Sequence, residues 1–160
     1  MLVERVSRWL GYPWRMKGMA TIAILNNSEE VREGIKKTLL AHSANKDSLE
    51  FVEYSLKKRH KADLMAAVDG DVQAGAIQLL IAGDVLDTGW EEFSSADLIE
   101  FCQRATPGFP YIILTEAEIA ASEWDNILST HIFPVSYFLK EDSELFGKMV
   151  AEIDRLCAGT

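Results

Sequence analysis

Cysteine is scarce in this 160-residue chain: Cys102 and Cys157 stand far apart, and neither belongs to a Cys-x-x-Cys or Cys/His spacing. That argues against a structural zinc and against a disulfide framework, and it suits a reducing compartment. No apolar run approaches the roughly 18 residues of a membrane-spanning helix. Positive charge is also short. Sixteen Lys and Arg face 25 Asp and Glu, a net charge of −9. Such a surface repels phosphate backbones, so no nucleic-acid partner is expected. Gly-x-Gly-x-x-Gly, Gly-x-x-x-x-Gly-Lys-Ser/Thr and Gly-x-Ser-x-Gly are all missing, which removes the usual signatures of dinucleotide, nucleotide and esterase chemistry. His42, His60 and His131 show no ligand spacing. The expectation is a cytoplasmic protein that is not an enzyme, with no cofactor and no membrane span.

What is present is the composition of a globular domain, 48% hydrophobic and 26% charged. The length suits one domain with a real core. Residues 1–18 differ from the rest. They carry Arg5, Arg8, Arg15 and Lys17 against Glu4, together with Trp9 and Trp14. Three readings stand: an amphipathic helix (Leu2, Val3, Val6, Trp9, Leu10) docked on the domain or a partner, a membrane-surface anchor, or an extension upstream of a natural start at Met19. We therefore divide the chain into an extension, 1–18, and a domain, 19–160.

Within the domain, apolar strand patterns alternate with helical ones. Residues 19–25 (MATIAIL) read as a buried strand, and Ser28 can cap an amphipathic helix over 28–42. Strands are predicted at 49–54, 77–82, 111–114 and 135–139. Helices are predicted at 55–68, 94–105, 117–129 and 143–156. Asp69-Gly70-Asp71 reads as a turn, since it lacks the other ligands of a calcium loop. Five βα units imply an α/β fold: a doubly wound, five-stranded parallel sheet with helices on both faces. Functional groups in such folds gather outside the carboxyl ends of the strands.

Those ends hold Asn26 and Asn27 after the first strand and Gly83, Asp84 and Asp87 after the third. Thr115 follows the fourth and Lys140 the fifth. A carboxylate, a hydroxyl and an ammonium converging there suit an acyl phosphate. In this order TIAILNN, IQLLIAGDVL, YIILTEAE and SYFLK resemble the strand ends of a response-regulator receiver domain of two-component signalling. The resemblance runs from about Ala20 to Leu156 and implies the flavodoxin-like, receiver-type (βα)5 fold. It also implies roles: Asp84 as the candidate phosphoacceptor, Asn26 and Asn27 at the acidic-pair positions, and Thr115, Tyr137 and Lys140 as switch and phosphate-sensing candidates.

The departures carry weight. Receivers place two adjacent carboxylates where Asn26 and Asn27 stand, and an Asn carbonyl brings no charge to Mg²⁺. Counting along the third strand puts Gly83, not Asp84, at the phosphoacceptor position. A one-residue bulge would bring Asp84 into place. Glu141 and Asp142 follow the lysine where receivers usually have proline. Each residue also has a plainer role: a strand-to-helix turn for the Asn pair, a helix cap for Thr115, a salt bridge to Asp84 for Lys140, a half-buried aromatic for Tyr137.

The leading expectation is a degenerate receiver, or pseudo-receiver, acting by protein–protein contact without Mg²⁺-dependent phosphorylation. By resemblance it would associate with a protein partner, or form a homodimer, through its fourth helix, fifth strand and fifth helix, near residues 118–129 and 136–156. One alternative is a genuine receiver that takes phosphate on Asp84 from a histidine kinase, with Mg²⁺ bound. The other is a flavodoxin-like domain binding a small molecule or nucleotide in the same crevice. With no output domain after residue 160, the expectation is a stand-alone adaptor or a fragment of something larger.

Overall fold

The computed structural model describes residues 19–140 and 144–158. The extension 1–18, and Glu141 and Asp142 after the lysine, lie outside the described residues. Five strands form one parallel sheet: β1 (Ala20–Leu25), β2 (Leu49–Glu53), β3 (Leu79–Gly83), β6 (Tyr111–Thr115) and β7 (Ile132–Pro134). Their order is β2-β1-β3-β6-β7. This is an α/β fold, and its strand order is consistent with the flavodoxin-like arrangement. A separate antiparallel hairpin, β4 (Val85–Asp87) with β5 (Glu92–Ser94), follows β3 directly. The helices are α1 (Glu29–His42), α2 (Lys61–Gln73), α3 (Ser95–Ala105), α4 (Trp124–Thr130), the single turn α5 (Val135–Phe138) and α6 (Glu144–Ala158).

The sheet's middle strands are buried along their whole length, as their unbroken apolar runs require. Successive side chains point to opposite sides of a strand, so the core splits in two. Ala23, Leu25, Leu80, Ala82 and Ile113 cluster with Leu64, Val68 and Val72 of α2 and with Leu98, Ile99 and Cys102 of α3. Ile22, Ile24, Leu79, Ile81, Ile112 and Leu114 cluster with Ile35 and Leu39 of α1, Ile127 of α4 and Leu145, Met149 and Ile153 of α6.

Besides the β4–β5 hairpin, which stands where the sequence predicts a loop over 83–90, three elements differ from the sequence expectation. The second helix spans Lys61–Gln73, so Asp69-Gly70-Asp71 lies inside it. Gly70 there meets nothing within 4 Å, and buried Val68 and Val72 flank the tripeptide and hold the turn in register. The helix stops at Gly75 instead, whose φ of 74° only glycine adopts freely. The fifth strand is Ile132–Pro134, and Val135–Phe138 forms a helical turn. Pro134 ends an edge strand, where its missing N–H costs no ladder bond. The expected helix 117–129 begins as a 3₁₀ turn at Ala121–Glu123.

At the opposite end of the sheet, His131 sits in the left-handed region (φ 59°) and closes α4. Its Nε2 lies 2.8 Å from Glu152 Oε2 on α6, and Arg155 donates to both oxygens of the same carboxylate. The Arg155 hydrogen bonds, and after them His131, hold the Glu152 carboxyl below its ordinary value despite some burial. A carboxylate depressed in the folded state contributes stability above its unfolded pKa and loses it as pH falls through the folded one. Glu152→Gln should therefore lower Tm at neutral pH and converge with the wild type as pH falls below about 4.5, which flattens the acid limb of a Tm-against-pH curve. An unchanged acid limb would remove this clamp from the account. In the core, Phe138 is fully buried, and Phe138→Ala should cost about 3–5 kcal/mol in urea unfolding.

Candidate functional site

The carboxyl end of β1 passes straight into α1 through Asn26, Asn27 and Ser28. Asn26 Oδ1 accepts from the Ser28 backbone N–H at 2.8 Å, and Ser28 Oγ accepts from Val31 N–H at 3.2 Å as the helix cap. The Asn26 carbonyl accepts from Arg32 Nη1 at 2.6 Å. Arg32 Nε in turn pairs with Glu53 Oε1 at 2.8 Å, and Lys36 bridges Glu53 and Glu33 at 2.9 Å each. Burial pushes the Glu53 carboxyl up, but Lys36 and Arg32 together outweigh it and the net shift is downward. Lys36 is raised, by Glu33 first and Glu53 next. These charges are therefore matched and tie α1 to β2.

Asn27 reaches the other way. Its Nδ2 donates to the Asp87 carbonyl, and its Oδ1 accepts from the Asp87 N–H at 2.9 Å. One carboxamide thus imitates a strand edge and fastens the β4–β5 hairpin to the end of β1. Both sides of the amide are used.

The β3–β6 ladder runs from Leu80↔Tyr111 to Gly83↔Leu114 without an inserted residue. Gly83 is the residue that faces Asn26: a Cβ built on it would stand 2.8 Å from Asn26 Nδ2. Asp84 lies one step further and is exposed. Its backbone N–H donates to the Leu114 carbonyl at 3.1 Å, and its carbonyl accepts from Ser95 N–H at 3.0 Å and Ser95 Oγ at 3.2 Å. Thr115 is buried, with Oγ1 accepting from Ala117 N–H at 3.2 Å. Tyr137 is half-buried in α5 and Lys140 is exposed just beyond it. No ion pair joins Asp84 and Lys140 among the described residues.

Four of the sequence candidates, Asn26, Asn27, Tyr137 and Lys140, line two open clefts. One, of about 570 Å³, holds Asn26, Asn27, Arg32, Glu53 and residues 54–57. The other, of about 510 Å³, is lined by Glu118, Ile119, Ala120, Ser136, Tyr137 and Lys140. Asp84 and Thr115 line neither. Among the described residues no three His, Cys, Asp or Glu side chains are grouped to hold a metal ion. The two thiols are poor nucleophiles at neutral pH: burial, with Asp69 adding to it, pushes Cys102 up to about 12, and burial, then Asp154, pushes Cys157 up to about 11. What the strand ends offer is amide and hydroxyl hydrogen bonding beside the paired Arg32, Lys36 and Glu53 charges, with Asp84 and Lys140 exposed and not joined to each other. Asp87, Trp90 and Glu91 in the hairpin were not singled out as partners by the sequence. Turn residues flanking two three-residue strands were the available signal.

Gly83→Ala should force the Asn26 amide away from Ser28 and cost about 1–2 kcal/mol in thermal unfolding. Gly147→Ala in α6, where nothing lies within 4 Å, should instead be neutral or stabilise by about 0.5–1 kcal/mol. Equal effects at the two positions would mean that the Gly83–Asn26 contact carries no constraint.

No protein-family model matches this chain, and neither a curated protein nor a solved structure matches it.

Proposed function

We propose that this chain is a receiver-like module that works by protein–protein contact and does not use Mg²⁺-dependent aspartyl phosphorylation. The observation that carries this reading is the pairing of Gly83 with Asn26. On the receiver pattern, β3 should end in a carboxylate facing the acidic pair. Here the residue facing Asn26 has no side chain, and the Asn26 amide occupies the space a side chain would need. Asn27, at the second acidic-pair position, is committed to the Asp87 backbone. Neither amide brings the negative charge that a hard divalent cation prefers.

The fold reading that accompanies it is a doubly wound sheet with helices on both faces. The strand order and the division of strand side chains between two clusters, one with α2 and α3 and one with α1, α4 and α6, support it. The contact face on this reading comprises α4, α5 and α6. The Tyr137–Lys140 cleft, the 39% exposed Ile132 and the 37% exposed Leu139 supply apolar surface near it.

The reading is tested by adding millimolar Mg²⁺ with beryllofluoride, then acetyl phosphate, to the ¹⁵N-labelled protein. Amide resonances of Gly83, Asp84, Thr115 and Lys140 should not move. Saturable shifts centred on these residues, abolished by Asp84→Asn, would replace this reading with phosphorylation at Asp84.

A further inference from the structure

A second surface stands apart from the α4–α6 face and does not depend on the receiver-like reading. Residues 57–61 run Lys-Lys-Arg-His-Lys in a chain whose net charge is −9. The run is tied at both ends to the core and the hairpin. Leu56 anchors it in the core, and Lys58 adopts a left-handed φ of 53° while its N–H donates to the Thr88 carbonyl at 2.8 Å. Glu91 Oε2 accepts from the Lys61 N–H at 2.7 Å, capping α2 from the hairpin because His60 provides no side-chain cap. The hairpin tip thus forms one platform with the basic run. Trp90 on that tip is 57% exposed, with its ring 4.9 Å from that of His60. Lys57 and Lys58 are exposed, and no carboxylate among the described residues lies within ion-pair distance of either.

We propose that Lys57, Lys58, Arg59 and Trp90 form a docking surface for an acidic segment of a partner protein that presents one aromatic or leucine side chain. Charge complementarity identifies the occupant. A cationic strip on an acidic molecule attracts carboxylates, while the surrounding acidic surface turns away anything anionic that extends beyond the strip. An exposed indole, held against the His60 ring in a tilted contact (48° between planes) and carried on a hydrogen-bonded hairpin, is the side-chain type that dominates such contacts. Asp87, Glu91, Glu92 and Asp97 border the platform, and Asp97 pairs with Lys61 at 2.8 Å. A long, continuous polyphosphate backbone would meet these carboxylates, which favours a short acidic peptide as the occupant.

The test is titration of the full ¹⁵N-labelled chain with a short synthetic peptide of Glu and Asp residues around one Phe. Saturable shifts are expected at residues 57–61 and at the Trp90 indole N–H, weakening as salt rises. Lys57→Glu/Lys58→Glu should lower affinity roughly tenfold or more, and Trp90→Ala, which leaves every charge in place, should lower it by a similar factor. The proposal is overturned if the peptide moves none of these resonances, or if a Ser/Gly peptide of equal length moves them equally. It is also overturned if a single-stranded oligothymidine binds there more tightly, which would give the surface to nucleic acid. None of these outcomes bears on the beryllofluoride result, which reads different residues.

Discussion

The carboxyl edge of the sheet depends on the Asn27 carboxamide. By donating to and accepting from the Asp87 backbone, it fixes the β4–β5 hairpin against β1. Through that hairpin, Thr88 holds the Lys58 N–H and Glu91 holds the Lys61 N–H. The loop before α2, the start of α2 and the orientation of Trp90 thus trace back to one side chain. An ionised aspartate only accepts hydrogen bonds. In this place it would lose the bond to the Asp87 carbonyl and set two oxygens against each other. The amide is the chemistry this junction needs, and a carboxylate would work against it.

The same reasoning joins the neighbouring positions. Asn26 turns the chain into α1 and takes up the space beside Gly83. The bare Gly83 and the amide at Asn26 are therefore one arrangement, since the Asn26 amide leaves no room for a side chain at Gly83. Where the receiver pattern would concentrate negative charge, the chain has a neutral, hydrogen-bonded corner. Arg32, Lys36 and Glu53, beside this corner, are paired with one another and hold α1 to β2. Such half-exposed pairs set orientation more than they add stability.

The central strands were legible because burial on both faces leaves long apolar runs: β1, β3 and β6 fall within a residue or two of where periodicity puts them. The α1 cap was legible for the same reason of local chemistry, a Ser before two Glu. The rest failed for specific causes. Val85–Asp87 and Glu92–Ser94 are three-residue strands with one buried side chain each, too short for an alternation to declare itself. In α2, local turn chemistry at Asp69-Gly70-Asp71 pointed one way and packing of Val68 and Val72 the other, and packing prevailed. At the fifth strand, Val135–Leu139 has the stronger apolar pattern, yet the pairing of Leu114 with Phe133 sets the edge earlier. That shift takes Tyr137 and Lys140 out of the strand. Those two residues line one cleft and the Asn pair another, while Asp84 and Thr115 line neither.

The central claim is that the Asn pair serves as structural hydrogen-bonding groups at the sheet edge. Native-state hydrogen exchange of the wild type and of Asn27→Asp tests it most directly. The account predicts a joint loss of protection at the Asp87, Lys58 and Lys61 amides in the variant, with the β1 and β3 amides unchanged. If those three amides keep their wild-type protection, the Asn27 latch does not hold the hairpin and the account fails.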